Sequence, residues 1–268
     1  LEWTKRKSFE ATSTQLGRIS LMRGLAEYMS RMGKKAYICP KSLVTVNRYS
    51  YTPYIFSKKE IAYIFYACDN FPASKESPNR QIILSLVIRM IYGCGLRISE
   101  AVNLTISDVN LNEGTIFIKD TKFGKERLIP MADTLKKRCR EYSILVLTGK
   151  SDTSYFFPSP FGGHYKSNTI YGLFRKVLWA AGISHTGKGP RLHDMRHTYA
   201  VHCLKKWALA NRDMTNCMPY LSAYLGHEDL RGSQRYLRLT ADLYPDITSK
   251  VEKNCSWLIP EVNWHETY

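Results

Sequence analysis

The chain has 268 residues, of which 44% are apolar and 23% charged, and this balance predicts a folded globular protein and excludes a disordered chain. Its 39 Lys and Arg residues against 23 Asp and Glu give a formal net charge of +16. This excess favours a polyanionic partner, nucleic acid best of all, over a basic surface that only aids solubility. No apolar run is long enough to span a membrane, and no signal-peptide pattern opens the chain.

The cysteines are seven in number, widely scattered and without a C-x-x-C pair. This pattern argues against a disulfide framework and against a structural zinc site. We therefore expect a reducing, cytoplasmic setting. Because residue 1 is Leu and not Met, we also expect a fragment or a processed form.

The first 36 residues are predicted to be helical, with an apolar stripe surrounded by basic residues and formed by Ile19, Met22, Leu25, Ala26 and Met29. Residues 37–54 contain two prolines and no helical period, which indicates a linker. We therefore predict a first unit over residues 1–48 and a second, larger unit over residues 49–268.

The second unit opens with SKKE at residues 57–60, a capping box at the start of a helix. QIILSLVIRMIY at 81–92 is apolar nearly all round and predicts a buried central helix, which GCG ends. The segment RISEAVNL then begins a short helix at Arg97. TIFI and ERLIPM flank KDTKFGK with strand-like alternation and predict a β-hairpin.

Five further helices are predicted towards the C-terminus. Asp133 is expected to cap one that reaches about Leu147, and Ser167 to cap one over residues 168–182. A third covers residues 191–207, and a fourth, MPYLSAYLGH, begins at Pro219. A last helix is expected at PDITSKVEK, residues 245–253. The predicted fold class is mainly α with a small antiparallel β-sheet.

The helix over 191–207 carries candidate chemistry beside its core-facing stripe. His193 and Arg196 are three residues apart on one face, so that an imidazole able to take a proton lies next to a guanidinium suited to phosphate. For this pair alone, a solvated helix end is the simpler interpretation. His193 and His197 have metal-ligand spacing, but no acidic third ligand is in register, so no metal is predicted.

Four other residues indicate a functional site only when their order along the chain is considered. Arg97 follows two glycines and an apolar helix, where an arginine is usually paired or contacts a ligand. Lys122 lies in a hairpin turn, His227 follows a helix-ending Gly, and Tyr236 is one of 18 tyrosines. Each has an ordinary structural explanation when it is taken alone.

Together these motifs resemble the tyrosine recombinases, the phage-integrase family of enzymes that cut and join DNA. The chain has an Arg box in GCGLRISE, a hairpin Lys in TKFGKERLIP, an H-x-x-R box in HDMR, a G-H pair in LGH, and Tyr236 nine residues after that His. The resemblance covers roughly residues 50–245. It implies a catalytic domain like that of tyrosine recombinases and type IB topoisomerases, preceded by a partial helical core-binding domain.

The resemblance also implies a mechanism. Tyr236 would attack a DNA phosphorus to give a 3′-phosphotyrosine and a free 5′-hydroxyl, while Arg97 and Arg196 hold the non-bridging oxygens. Lys122 would protonate the leaving 5′-oxygen, and His193 would assist removal of the phenol proton.

His227 would hydrogen-bond the same phosphate. Because the covalent intermediate keeps the bond energy, the resemblance implies no metal, no ATP and no other cofactor. We expect further contacts to double-stranded DNA from a set of basic residues near these motifs: Lys125, Arg127, Arg175, Lys176, Arg231 and Arg235. The last two could instead only solvate the chain around Tyr236.

The two ends of the chain are less specific. Residues 1–48 resemble the last part of a DNA-clamping core-binding domain, so either upstream helices are missing or the clamp is reduced. The segment between Arg196 and His227 is longer than in compact members, and an extra turn or loop is expected there. The tail from about Leu239 is expected to dock on a neighbouring subunit of a DNA-bound tetramer, with docking on its own subunit as an equal alternative.

The expected function is site-specific DNA recombination, by an integrase or transposase of a bacterial mobile element acting in the cytoplasm. One alternative is relaxation of supercoiled DNA, as by a type IB topoisomerase. A second is a helical DNA-binding protein without chemistry, which would form no covalent adduct.

Overall fold

A computed structural model describes residues 2–44, 52–119, 124, 126–187, 189–227 and 231–243. The chain divides into two compact units, residues 1–52 and 53–268. The division follows Thr52, whereas the sequence predicts a boundary after residue 48. Every helix of the described part is too short or too polar to cross a lipid bilayer.

The first unit contains one long helix, α1 (Thr12–Arg31), after a 3₁₀ turn at Glu2–Thr4. The predicted helix is therefore confirmed, although it is shorter than residues 1–36. Of its apolar stripe, Ile19 is buried, whereas Met22, Leu25 and Met29 are 40%, 49% and 38% exposed. The stripe has the period of a packed helix, but most of it is exposed in this structure.

Helices dominate the described part of the second unit. They are α2 (Lys58–Asp69), α3 (Arg80–Gly93), α4 (Ile98–Asn103), α5 (Asp133–Tyr142), α6 (Ser167–Ala180), α7 (Asp194–Leu209), α8 (Met214–Leu225) and α9 (Arg231–Leu243). The predicted capping box at α2 is confirmed, since Ser57 Oγ accepts from the Glu60 N–H and Glu60 accepts from the Ser57 N–H. The predicted burial of α3 is also confirmed, because eight of its residues are buried.

A small antiparallel sheet lies between α4 and α5 in the chain. It has the order β1 (Val109–Asn110), β2 (Thr115–Ile118) and β3 (Arg127–Pro130). Ile116 pairs with Ile129, and both are buried, whereas Phe117 and Leu128 are exposed on the other face. The predicted hairpin is confirmed. The two-residue β1 was not predicted, because so short a segment has no readable alternation.

Several predicted helix starts are wrong by a few residues. Asp133 and Ser167 are the first helical residues and make no side-chain capping bond, because the cap positions fall one residue earlier. The helix α8 begins at Met214 and not near Pro219, since Asp213 caps it by accepting from the Thr215 N–H at 2.9 Å. Pro219 therefore lies inside the helix. The predicted helix at 245–253 lies outside the described residues.

Helix α7 connects the two hydrophobic clusters of the second unit. Leu192 and Met195, at its start, belong to the larger cluster around α3 and the sheet. Val201 and Leu204, further along, belong to the smaller cluster formed with α8 and α9. The first turn of α7 is thereby held where the two clusters meet, and the candidate site lies at this position.

Candidate active site

Four structural elements bring together the predicted catalytic side chains that the structure describes. Arg97 is at the N-cap position of α4, and Arg196 is in the first turn of α7. His227 directly follows the left-handed Gly226 that ends α8, with φ of 64°, and Tyr236 lies on α9. The sequence pattern predicts no helix around Tyr236. The residues are far apart in the chain and are brought together only by the tertiary fold.

Arg196 is fixed by main-chain carbonyl groups. Its side chain is buried, Nη1 donates to the Gly95 carbonyl at 2.7 Å, and Nη2 donates to the Leu225 carbonyl. Gly95 has φ of 60°, and a Cβ there would lie 2.7 Å from the Leu225 side chain, so glycine is required. Burial, with the charge of Arg97, lowers the pKa of Arg196 to about 10, so the guanidinium stays charged at neutral pH.

The carboxylate of Glu100 forms ion pairs with the arginines of the site. It accepts from Arg97 Nη1 at 2.6 Å and from the Arg97 main-chain N–H at 2.8 Å, and lies 3.7 Å from Arg196 Nη1. Burial alone would raise its pKa, but hydrogen bonds from Arg127 and Arg97 outweigh burial, and the pKa is lowered. The sequence motifs alone assign Glu100 no role, although its position three residues after Arg97, in the same helical turn, is a signal for this contact.

Arg127 was predicted to contact DNA, but in the structure its guanidinium binds groups of the protein itself. Its Nη1 and Nη2 donate to the two oxygens of Glu100 at 3.1 and 2.8 Å, and Nε donates to the Tyr224 carbonyl at 2.9 Å. Only 9% of its side chain is exposed. All three guanidinium nitrogens have protein acceptors, so the structure gives Arg127 a structural role beneath the site.

Tyr236 is buried inside this basic cluster, with 3% of its surface exposed. Its hydroxyl lies 2.9 Å from His197 Nδ1, and its ring stacks on His227 with ring centroids 5.9 Å apart. Burial raises the pKa of Tyr236, and the charges of Arg196 and Arg235 offset only part of that rise. The phenol is therefore protonated at neutral pH in this structure.

The three histidines differ in their surroundings. His227 Nδ1 is 2.8 Å from Ser233 Oγ, which fixes the ring beside Tyr236. His193 is exposed, yet desolvation on its protein-facing side and the charges of Arg196 and Arg97 lower its pKa to about 4. His197, which the sequence analysis weighed only as a metal ligand, is the imidazole in contact with the Tyr236 hydroxyl.

The remaining predicted DNA contacts fall into three groups. Arg175 and Lys176 are exposed on α6. Arg235 is half-buried on α9, and its charge acts on His197 and Tyr236. Lys125 and the side chain of Arg231 lie outside the described residues, and so does Lys122, the predicted catalytic lysine.

A groove of about 510 Å³ opens beside the cluster. Its lining includes Arg97, Glu100, Lys119, Tyr155 and His164. The half-buried Arg97 can therefore be reached from outside by an anionic group. The arrangement offers fixed guanidinium donors, neutral imidazoles and a phenol at one place, which is a set of groups suited to holding and attacking a phosphodiester.

Comparison with known proteins gives consistent results. The phage integrase family matches residues 55–242. The protein y4rB of Sinorhizobium fredii, named as an integrase/recombinase, is 30% identical over 267 residues, covering 94% of this chain and 82% of its own. Tyrosine recombinase XerC of Oceanobacillus iheyensis is 31% identical over 162 residues, which cover 58% of this chain and 49% of XerC.

The fold of this chain is that of solved recombinases. The crystal structure of the XerH site-specific recombinase, bound to a palindromic difH substrate in a post-cleavage complex, superposes with a TM-score of 0.67 at 21% identity. The match covers 89% of this chain and 67% of XerH. The predicted fold class and family are thus confirmed, and the chain belongs to the phage integrase family of tyrosine recombinases.

Proposed function

We propose that the protein is a site-specific DNA recombinase of the integrase or transposase type, which cleaves and rejoins strands through a 3′-phosphotyrosine. One observation carries the proposal. The hydroxyl of Tyr236 is held within the same buried cluster as Arg196 and Arg97, and their charges act on the phenol. A tyrosine that only filled the core would not need a hydroxyl in this basic surrounding, where its burial is costly.

In the proposed reaction the scissile phosphate binds to Arg97 and Arg196. Because main-chain carbonyls and Glu100 hold both guanidinium groups in place, these donors need little reorganisation as negative charge grows on the non-bridging oxygens. His227, fixed by Ser233, adds a hydrogen bond to the same phosphate.

The bond changes follow from attack by the phenol. The Tyr236 oxygen forms a bond to phosphorus as the phosphorus–5′-oxygen bond breaks, and Lys122 supplies the proton that the 5′-oxygen takes up. The phenol proton leaves with the assistance of His193. Rejoining is the reverse reaction, in which the 5′-hydroxyl displaces Tyr236, so the cycle needs no external energy source and no cofactor.

The expected partner is double-stranded DNA, bound by an oligomer. The solved XerH complex holds a palindromic substrate, and a palindrome presents two equivalent half-sites to two equivalent subunits. We extend this to a tetramer assembled through the C-terminal tail, with residues 1–48 as the remaining part of a DNA-clamping domain. The setting we propose is the cytoplasm of a bacterium that carries the mobile element.

The test uses a DNA site selected by the protein from random-sequence duplexes. Two copies of that site are placed in a supercoiled plasmid, and the products are separated on a gel. Exchange between the copies, absent with Tyr236→Phe, supports recombination. Relaxation without exchange would instead support a topoisomerase-like activity, and binding without either product would reduce the protein to a DNA-binding module.

A further inference from the structure

Among the described residues, the Tyr236 hydroxyl contacts the imidazole of His197 and the guanidinium of Arg196, and not the His193 of the H-x-x-R box. Nδ1 of His197 lies 2.9 Å from the phenol oxygen, and the two ring centroids are 5.5 Å apart. None of the five motifs that carry the family resemblance assigns a role to this imidazole. The contact therefore needs an explanation of its own.

Neighbouring groups fix the imidazole of His197. His193, one helical turn earlier, packs edge-on against it with ring centroids 4.7 Å apart and an interplanar angle of 89°. Burial, then the nearby His193 and Arg235, lowers the pKa of His197 to about 3, so the ring is neutral near pH 7. The guanidinium of Arg196 also hydrogen-bonds the phenol and can only donate, so we assign the tyrosine O–H as the donor to Nδ1, with the ring proton on Nε2.

We infer that His197 is a positioning residue for the nucleophile: its Nδ1 accepts the hydrogen bond of the Tyr236 hydroxyl and fixes the phenol oxygen beside Arg196. This inference rests on the proposed function, because it assigns Tyr236 the attack on DNA. It differs from the role expected of His193, which concerns proton removal. The stacking of His227 holds the phenol ring, whereas rotation of the O–H bond about the C–O axis is a freedom that this stacking leaves open.

The choice of imidazole at this position has a physical reason. A carboxylate at residue 197 could also accept from the phenol, but it would pair with the guanidinium of Arg196, whose charge already acts on the His197 ring. The phosphate-binding charge would then be neutralised. An apolar side chain would leave the buried hydroxyl without its acceptor. A neutral imidazole holds the hydroxyl and leaves the positive charge of the cluster intact.

The experiment compares two variants in the full 268-residue chain. His197→Asn keeps an acceptor atom near the position of Nδ1, whereas His197→Leu has a similar volume and no acceptor. Each is mixed in excess with a nicked duplex that carries the selected site, and the rate of covalent adduct formation is measured beside the Kd for the intact duplex. Melting temperatures report whether each variant is folded.

We expect His197→Leu to slow adduct formation about tenfold or more, as the loss of one hydrogen bond to the reacting atom requires, with a nearly unchanged Kd. His197→Asn should recover most of the rate. A wild-type rate for His197→Leu, or equal slowing by both folded variants, would overturn the inference. If the wild-type protein itself forms no adduct, the proposed function fails instead.

A second measurement does not depend on the leucine variant folding or on cleavage. Histidine ¹⁵N spectra are recorded for the wild-type protein and for Tyr236→Phe, with His197→Asn used to assign the signals. We expect a neutral His197 ring protonated on Nε2, with an Nδ1 signal that moves when the phenol hydroxyl is removed. An Nδ1 signal indifferent to Tyr236→Phe would contradict the hydrogen bond on which the inference depends.

Discussion

The carboxylate of Glu100 accepts two hydrogen bonds from Arg127, at 3.1 and 2.8 Å, and thereby joins the start of α4 to strand β3. The same carboxylate holds Arg97 and lies near Arg196. The single buried carboxylate of Glu100 thus holds three positively charged guanidinium groups close together. Its negative charge offsets part of their mutual repulsion, and this leads to the first prediction.

Glu100→Gln is expected to destabilise the protein by about 3 kcal/mol, because removing one partner of a buried ion pair leaves the other charges uncompensated. Urea unfolding followed by circular dichroism measures the change. Glu27→Gln is the matched control, since the Glu27 side chain is 41% exposed and pairs with Arg23 at the long distance of 4.0 Å. Equal stability of the two variants would show that Glu100 does not hold the cluster together.

The two arginines that we propose to bind the phosphate are expected to respond differently to substitution by lysine. Arg97→Lys and Arg196→Lys should each slow cleavage by about 100-fold, because an ammonium cannot make the forked contact of a guanidinium. Arg196→Lys should also lower the melting temperature clearly, because buried Arg196 bonds two main-chain carbonyls, whereas Arg97 is half-buried. Adduct rates and melting curves for both variants check this. Near-normal cleavage by either one would assign that arginine to packing.

Substitutions of basic residues on α6 are expected to change DNA affinity, whereas substitution of Arg127 on β3 is expected to change stability. Arg175→Ala combined with Lys176→Ala should weaken DNA binding and reduce the salt dependence of log Kd by about 2, one for each lost phosphate contact, with an unchanged melting temperature. Arg127→Ala should do the opposite, because it breaks the pair with Glu100. Fluorescence anisotropy at several salt concentrations measures the first effect. No change of slope in the double variant would remove α6 from the DNA interface.

Acid is expected to destabilise the protein through His197. Its pKa is about 3 in the folded state against 6.5 for an unperturbed imidazole, so the unfolded chain binds more protons between these values. The free energy of unfolding should therefore fall as pH decreases from 6.5 towards 4, by no more than about 1.4 kcal/mol per pH unit from this group. His197→Asn should show a shallower fall. Parallel curves for the two proteins would mean that His197 is charged in the native state.

Local patterns predicted much of this fold. The capping box at Ser57 and Glu60, the apolar helix α3 and the alternation on both sides of the hairpin each depend on neighbouring residues, so periodicity was sufficient. The interior position of Pro219 was missed because Asp213 supplies a stronger start to α8 several residues earlier. Whether the helix starts at Asp213 or at Pro219 depends on one side-chain hydrogen bond, which the spacing of apolar residues in the sequence does not reveal.

The site was predictable where chemistry and spacing coincide. Arg97, Arg196, His227 and Tyr236 are in one cluster, in agreement with their order in the chain. From the sequence, His197 is considered only as a metal ligand and Glu100 is given no role, because the contact of Glu100 with Arg127 spans 27 residues of the chain and that of His197 with Tyr236 spans 39. Arg127 was misjudged for the same reason, since a strand arginine looks like a surface charge until its buried acceptor is seen.

The most direct measurement is mass spectrometry of the covalent product trapped on a nicked duplex that carries the selected site. After digestion with nuclease and trypsin, the peptide containing Tyr236 is expected to carry a nucleotide linked through its 3′-phosphate, and Tyr236→Phe should give no adduct while its DNA affinity is retained. A modified peptide that maps to another residue, or an undiminished adduct from Tyr236→Phe, would contradict the assignment of Tyr236 as the nucleophile.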